Sequence, residues 1–139
     1  MRTLIVGAGA MGCLFGAKLR LAGYDVTLYN RENEKIKWIE KTGIELVTTE
    51  NETKHVMIPV VYEANKLENY DLIIILVKAF ATEVVLEEIK SVIGEDTIVL
   101  SLQNGVGNLE AMEKVIPHAD LGIGGTGSGA SVLGLGTIA

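Results

Sequence analysis

The chain has 139 residues, the size of one compact domain, and 48% hydrophobic against 22% charged residues is the balance of an ordinary folded core. A net charge of −6 argues against nucleic acid or an anionic membrane as partner, because both require a basic surface. A single cysteine, Cys13, leaves no internal disulfide and no thiol cluster for a metal, which fits a reducing compartment, the cytoplasm.

In chain order, Thr3 to Val6 is a short apolar run with the β-branched content of a strand buried on both faces, and it ends at Gly7. Met1 and Arg2 ahead of an uncharged stretch imitate a signal peptide, but four glycines interrupt that stretch where a phosphate-binding turn explains them. A helix is expected from Ala10, with Leu14, Ala17 and Leu21 on one face and Gly23 ending it at positive φ. Asp25 to Tyr29 is the second strand, and Glu32 to Lys41 a charged helix with Ile36 and Ile39 facing inward.

Ile44 and Leu46, then Val56, Ile58 and Val60, alternate with mostly polar neighbours and predict an inserted antiparallel hairpin joined around Glu50 and Asn51. Asn51-Glu52-Thr53 is formally a glycosylation sequon and, without secretion, only a polar turn. Leu72 to Val77 is too short to cross a membrane and shows no alternation, as a central parallel strand requires. Val85, Ile89, Val92 and Ile93 follow at helical spacing before Gly94, and Thr97 to Leu102 supplies the next strand. A last helix runs from Asn108 to Ile116, stopped by Pro117, before a strand near Ala119. From Leu121 to Ala139 there is no charge and seven residues are glycine, which predicts a poorly ordered tail.

The turn Gly7-Ala8-Gly9-Ala10-Met11-Gly12 matches G-x-G-x-x-G, a weak signal alone that gains force directly between a strand and a helix. Gly7 permits the tight turn, Gly9 lets backbone approach a pyrophosphate, and Gly12 lets the helix pack close to the strand. The unpaired N–H groups and the positive end of the macrodipole then attract the pyrophosphate without a basic side chain. These elements predict an α/β fold of Rossmann type, a doubly wound, mainly parallel sheet with an inserted antiparallel hairpin, filling residues 1–139 as one NAD(P)-binding domain.

After the second strand comes Asn30-Arg31. An arginine there suits the 2′-phosphate of NADP(H), which it can meet with a forked pair of charge-assisted hydrogen bonds. Glu32, twenty residues after Gly12, is the competing partner for an unphosphorylated ribose. Lys78 closes the central strand either as a solvated charge or as a partner for cofactor phosphate or ribose, and Asn104-Gly105 is either a plain turn or an amide held over the nicotinamide.

Taken together, Gly7 to Gly12, Arg31, Val77-Lys78-Ala79 and Gln103-Asn104-Gly105-Val106-Gly107 resemble the N-terminal domain of the ketopantoate reductase (2-dehydropantoate 2-reductase) family. The resemblance implies that Arg31 binds the 2′-phosphate of NADPH, that Lys78 contacts the cofactor, and that Asn104 lies between nicotinamide and substrate. It also implies reduction of the ketone of ketopantoate to pantoate for pantothenate synthesis. In the family, the general-acid lysine and most substrate contacts belong to a second, helical domain with no counterpart in these residues. Self-association through the surface that such a domain would cover is therefore expected, and catalysis by the chain alone should be feeble. A non-catalytic NADP-binding module, a truncated product and a reductase of another 2-keto acid are the competing readings.

Gly124 to Ser131 imitates a P-loop, but its phosphate-binding lysine is Ala130, and Gly134 and Gly136 oppose the helix a P-loop requires. Gly127-Ser128-Gly129-Ala130 keeps part of a Thr-His-Gly-Ala-like stretch of the family. His55 and His118 stand far apart without metal-ligand spacing, so no metal is expected.

Overall fold

The protein is described by a computed structural model covering residues 1–103, 107–124, 132–134 and 136–138. Strand β1 (Arg2–Val6), the helix α1 (Ala10–Leu21) and strand β2 (Asp25–Tyr29) form the first β-α-β unit, with β1 and β2 paired in parallel from Arg2↔Asp25 to Val6↔Tyr29. Helix α2 (Glu34–Thr42) begins two residues later than expected, because Asn33 is its cap: the Asn33 side chain accepts the Ile36 N–H at 2.8 Å. Strands β3 (Ile44–Val47) and β4 (Thr53–Val56) form the expected hairpin, antiparallel from Ile44↔Val56 to Val47↔Thr53. Its turn is the polar one at Asn51, which takes φ +59 and donates its N–H to Thr48 O.

The hairpin stops earlier than the alternation suggested. Val60 belongs to β5 (Val60–Val61), which leaves the hairpin after Pro59 and pairs in parallel with β2, Leu28↔Val60 and Tyr29↔Val61. Proline lacks the N–H a hairpin ladder would need, while its carbonyl still accepts from Leu28 N at 2.9 Å. The chain then crosses to β6 (Leu72–Ile75), α3 (Thr82–Ile89), β7 (Ile98–Ser101), α4 (Asn108–Val115) and β8 (Asp120–Ile123). Strand β6 ends two residues short of Val77, and α3 gives way to a 3-10 turn at Lys90–Val92 before the buried Ile93.

The main sheet has the order β5-β2-β1-β6-β7-β8 with every pairing parallel. Parallel sheets need cover on both faces, and successive residues of β1 show how it is met. Ile5 packs with Cys13, Leu14 and Ala17 of α1, whereas Leu4 and Val6 pack with Leu86 and Ile89 of α3 and with Met112. Leu21, expected on the inner face of α1, is half exposed. Each fully buried aliphatic side chain contributes about 1.5–3 kcal/mol relative to exposure, so these two layers hold the sheet.

The strand expected near Ala119 is β8, and two short strands lie in the glycine-rich stretch where it is described. β8 extends the main sheet in register with β7, from Ile98↔Asp120 to Ser101↔Ile123. A Cβ on Gly122 would lie 3.4 Å from Leu100 Cδ1 and one on Gly124 3.0 Å from Leu102 Cδ2, so glycine at 124 in particular eases close packing of these leucines. Strands β9 (Val132–Gly134) and β10 (Thr137–Ile138) join a second sheet of order β4-β3-β10-β9, in which β10 pairs in parallel with β3 and Ile138 is fully buried. Propensity failed here because the partner strand β3, far away in sequence, supplies both the hydrogen bonds and the apolar contact. The P-loop-like and Thr-His-Gly-Ala-like stretches fall mainly on residues 125–131, outside the described residues. Among the described residues, no helix is long and apolar enough to cross a membrane.

Candidate functional site

The strand order reverses direction between β1 and β6, and such a switch point leaves a crevice beyond the carboxyl ends of those strands. A cleft of about 490 Å³ lies there, bordered by Gly7 to Met11, Asn30, Leu76 to Ala81, Leu102 and Gln103.

Its floor is the glycine turn, and the three glycines do different things. Gly7 has φ +113, donates its N–H to Tyr29 O at 2.8 Å, and has Val77 N only 2.8 Å from where a Cβ would stand. A Cβ on Gly12 would lie 1.7 Å from Gly7 O, so α1 can pack onto the turn only without one. Gly9 is the opposite case: a Cβ there would meet nothing within 4 Å, and its backbone borders the cleft. The empty side of Gly9 thus opens directly onto the cleft. No side chain caps Gly9 and no acidic residue stands in the first turn of α1, so the positive end of the helix faces the cleft without an internal anion.

Ala8 borders the cleft, but its N–H is occupied by Asn30 Oδ1 at 3.0 Å. The turn therefore offers a ligand the N–H groups beyond Ala8, while Asn30 ties the turn to the end of β2. Ala10 and Met11 also border the cleft; Gly12 lies behind it.

Arg31 follows Asn30 but is not a free cation. Both its Nε and one terminal nitrogen bond Glu88 Oε2, reaching from α3, and Tyr29 Oη donates to Glu88 Oε1 at 3.3 Å. Glu88 raises the Arg31 pKa above its ordinary value, first through that hydrogen bond. Burial, with Glu88 beside it, pushes the Tyr29 hydroxyl up to about 12. Glu32, the competing ribose partner, is held by Lys37 Nζ at 2.6 Å.

Lys78 borders the cleft at the start of a 3-10 turn, Ala79–Ala81, and has no acidic partner among the described residues. Phe80 on that turn is 88% exposed. The turn is anchored by Gln103, whose Nε2 donates to Val77 O and to Thr82 Oγ1, both at 2.7 Å, while its Oε1 accepts from Ser101 Oγ at 2.9 Å. Asn104, Gly105 and Val106 lie outside the described residues.

The structure thus brings the glycine turn and Lys78 to one cleft, with Arg31 just beyond it. Sequence reading missed three contributors: Asn30 as a brace, Gln103 as a clamp and Glu88 as a counter-ion. Asn30 and Gln103 stand at strand ends, where polar residues signal a site; Glu88, 57 residues from Arg31, carries no local signal.

A parallel sheet with this order, a glycine turn opening α1 and a switch-point cleft define the protein's class, a Rossmann-type NAD(P)-binding fold. Within that class the chain belongs to the ketopantoate reductase PanE/ApbA family, whose model matches residues 3–139. It is 38% identical over 127 residues to the 2-dehydropantoate 2-reductase of Lactococcus lactis, an alignment covering 91% of this chain and 41% of that enzyme. Against the 2-dehydropantoate 2-reductase of Archaeoglobus fulgidus the identity is 39% over 114 residues, 81% of this chain and 35% of the relative. Among solved structures, a D-mandelate dehydrogenase with NADH and anilino(oxo)acetate superposes with a TM-score of 0.92 at 34% identity, covering 99% of this chain and 44% of that one. The ketopantoate reductase of Ralstonia eutropha gives 0.86 at 28% identity, covering 99% and 45%. The chain therefore spans less than half the length of each of these proteins. These relatives are oxidoreductases.

Proposed function

We propose that the chain is the NADPH-binding part of a 2-dehydropantoate 2-reductase-like enzyme that reduces the ketone of ketopantoate to pantoate in the cytoplasm. The observation that carries this reading is the open side of Gly9 at the switch-point cleft, beside the N-terminus of α1 that no side chain caps, an arrangement suited to a pyrophosphate. In this reading Gly9, Ala10 and Met11 hold the pyrophosphate, Gly7, Ala8 and Gly12 shape the turn, Arg31 meets the 2′-phosphate, and Lys78 balances cofactor charge. Asn104, which the family resemblance assigns to a place between nicotinamide and substrate, lies outside the described residues. The bound nicotinamide supplies the hydride. The proton for the developing alkoxide comes from outside residues 1–139, in the part of the relatives this chain does not span, and its loss costs about a hundredfold or more in rate.

A second reading keeps the site and changes its ligands: an NADH-dependent reductase of another 2-oxo acid. It is favoured by the 0.92 superposition on a D-mandelate dehydrogenase with NADH and by the occupation of Arg31 by Glu88. Calorimetric titration of the chain with NADPH and with NADH, repeated on Arg31→Ala, separates the two. Tighter NADPH binding that falls about tenfold in the variant supports the first. Equal or tighter NADH binding, unmoved by the substitution, supports the second, and binding of neither refutes both.

A further inference from the structure

We propose that Glu88 is a specificity-determining residue of the dinucleotide site: an internal counter-ion that a 2′-phosphate must displace from Arg31 and that a plain 2′-hydroxyl leaves in place. This rests on the reading of the glycine turn as a dinucleotide site. Asn30 borders the cleft and Arg31 is the next residue, at the end of β2 where the ribose of a dinucleotide is held.

The geometry shows which partner is fixed. The Glu88 side chain is 25% exposed and the Arg31 side chain 63%, so the carboxylate is the better held of the two. Tyr29, almost wholly buried, fixes it further by donating its hydroxyl to Oε1, which leaves Oε2 to take both Nε and a terminal nitrogen of the guanidinium. That edge of an arginine is the forked one a phosphate uses.

Competition follows from charge and shape together. A phosphate monoester carries about two negative charges at neutral pH, and it cannot occupy a fork already filled by a carboxylate without repelling it. With Glu88 in place the pair has no net charge to offer the phosphate. An uncharged hydroxyl meets no such repulsion. Glu88 therefore lowers affinity for the phosphorylated dinucleotide selectively, and its distance along the chain lets α3 tune cofactor choice without altering the glycine turn.

The test is titration of wild type, Glu88→Gln, Glu88→Ala, Arg31→Ala and the Arg31→Ala/Glu88→Gln double variant with NADPH and NADH, followed by intrinsic fluorescence or calorimetry. Glutamine is isosteric and keeps an acceptor for Tyr29, and the alanine variant serves if glutamine disturbs folding. The expected result is NADPH binding about tenfold tighter in both Glu88 variants, with NADH within about twofold of wild type. In the Arg31→Ala background the Glu88 substitution should change neither dinucleotide. Equal gains or losses for both dinucleotides, or no change, would show that Glu88 only supports structure and would overturn the proposal. If wild type binds neither dinucleotide, the underlying site reading fails instead, and the proposal falls with it.

Discussion

The turn after β1 and the ion pair after β2 stand at the ends of adjacent strands and are built by opposite means. The turn is backbone and close packing: Gly7 and Gly12 touch neighbouring main chain, Asn30 braces Ala8, and the buried Cys13 thiol donates to Ala8 O at 3.4 Å. The Arg31–Glu88 pair is side chain and charge, with its arginine mostly in solvent. Packing of that kind tolerates no change, whereas a solvated pair can be rewritten at little structural cost. In the proposed reading, shape at the turn sets whether a dinucleotide fits, and charge at the pair selects which one.

That contrast breaks if substitutions at the two places behave alike. Gly12→Ala should be the most damaging, since its methyl meets Gly7 O; destabilisation of about 3 kcal/mol or more, read from the urea midpoint, is expected together with lost dinucleotide binding. Gly9→Ala should separate the two effects, weakening dinucleotide binding by about a hundredfold while the unfolding midpoint stays in place, because its methyl meets only open space. Gln103→Leu leaves Val77 O and Thr82 Oγ1 without their donor and should cost about 1–3 kcal/mol, with faster hydrogen exchange in residues 78–82 as the local readout.

Cys13 gives a finer test of how dry the turn is. Burial pushes its thiol from 9.0 up to about 11, so the folded chain keeps a proton that the unfolded chain gives up. Its contribution is complete below about pH 9 and is lost as the pH rises toward 11. The wild-type unfolding free energy should fall more steeply between about pH 8 and pH 10.5 than that of Cys13→Ala, by on the order of 2 kcal/mol. Smallest of all, Arg31→Ala should leave the unfolding midpoint where it was, since the guanidinium is solvated.

The same contrast explains what the sequence made legible. The turn could be read because each glycine answers a local backbone demand, written within six residues and framed by a strand and a helix. That the strands around it form a mainly parallel sheet followed from apolar runs that need cover on both faces. Val60 was misread because alternation continues through Pro59, and periodicity alone does not register a missing N–H. The last strand was misread because two residues, Thr137 and Ile138, hold their place only by pairing with β3 and filling a buried position. Glu88 was invisible for a related reason: an acidic residue on a charged helix looks like any solvated surface until the fold sets it against Arg31. Local geometry can be read along the chain, and partners brought together by the fold cannot.

The measurement that tests the account most directly is a two-dimensional amide NMR titration of the chain with NADPH and NADH. Both dinucleotides should move the Gly9, Ala10 and Met11 amide signals first and furthest, with the Arg31 Nε signal moving only for NADPH. Amide shifts concentrated away from the turn, or none at saturating dinucleotide, would contradict the assignment of the pyrophosphate site to this loop.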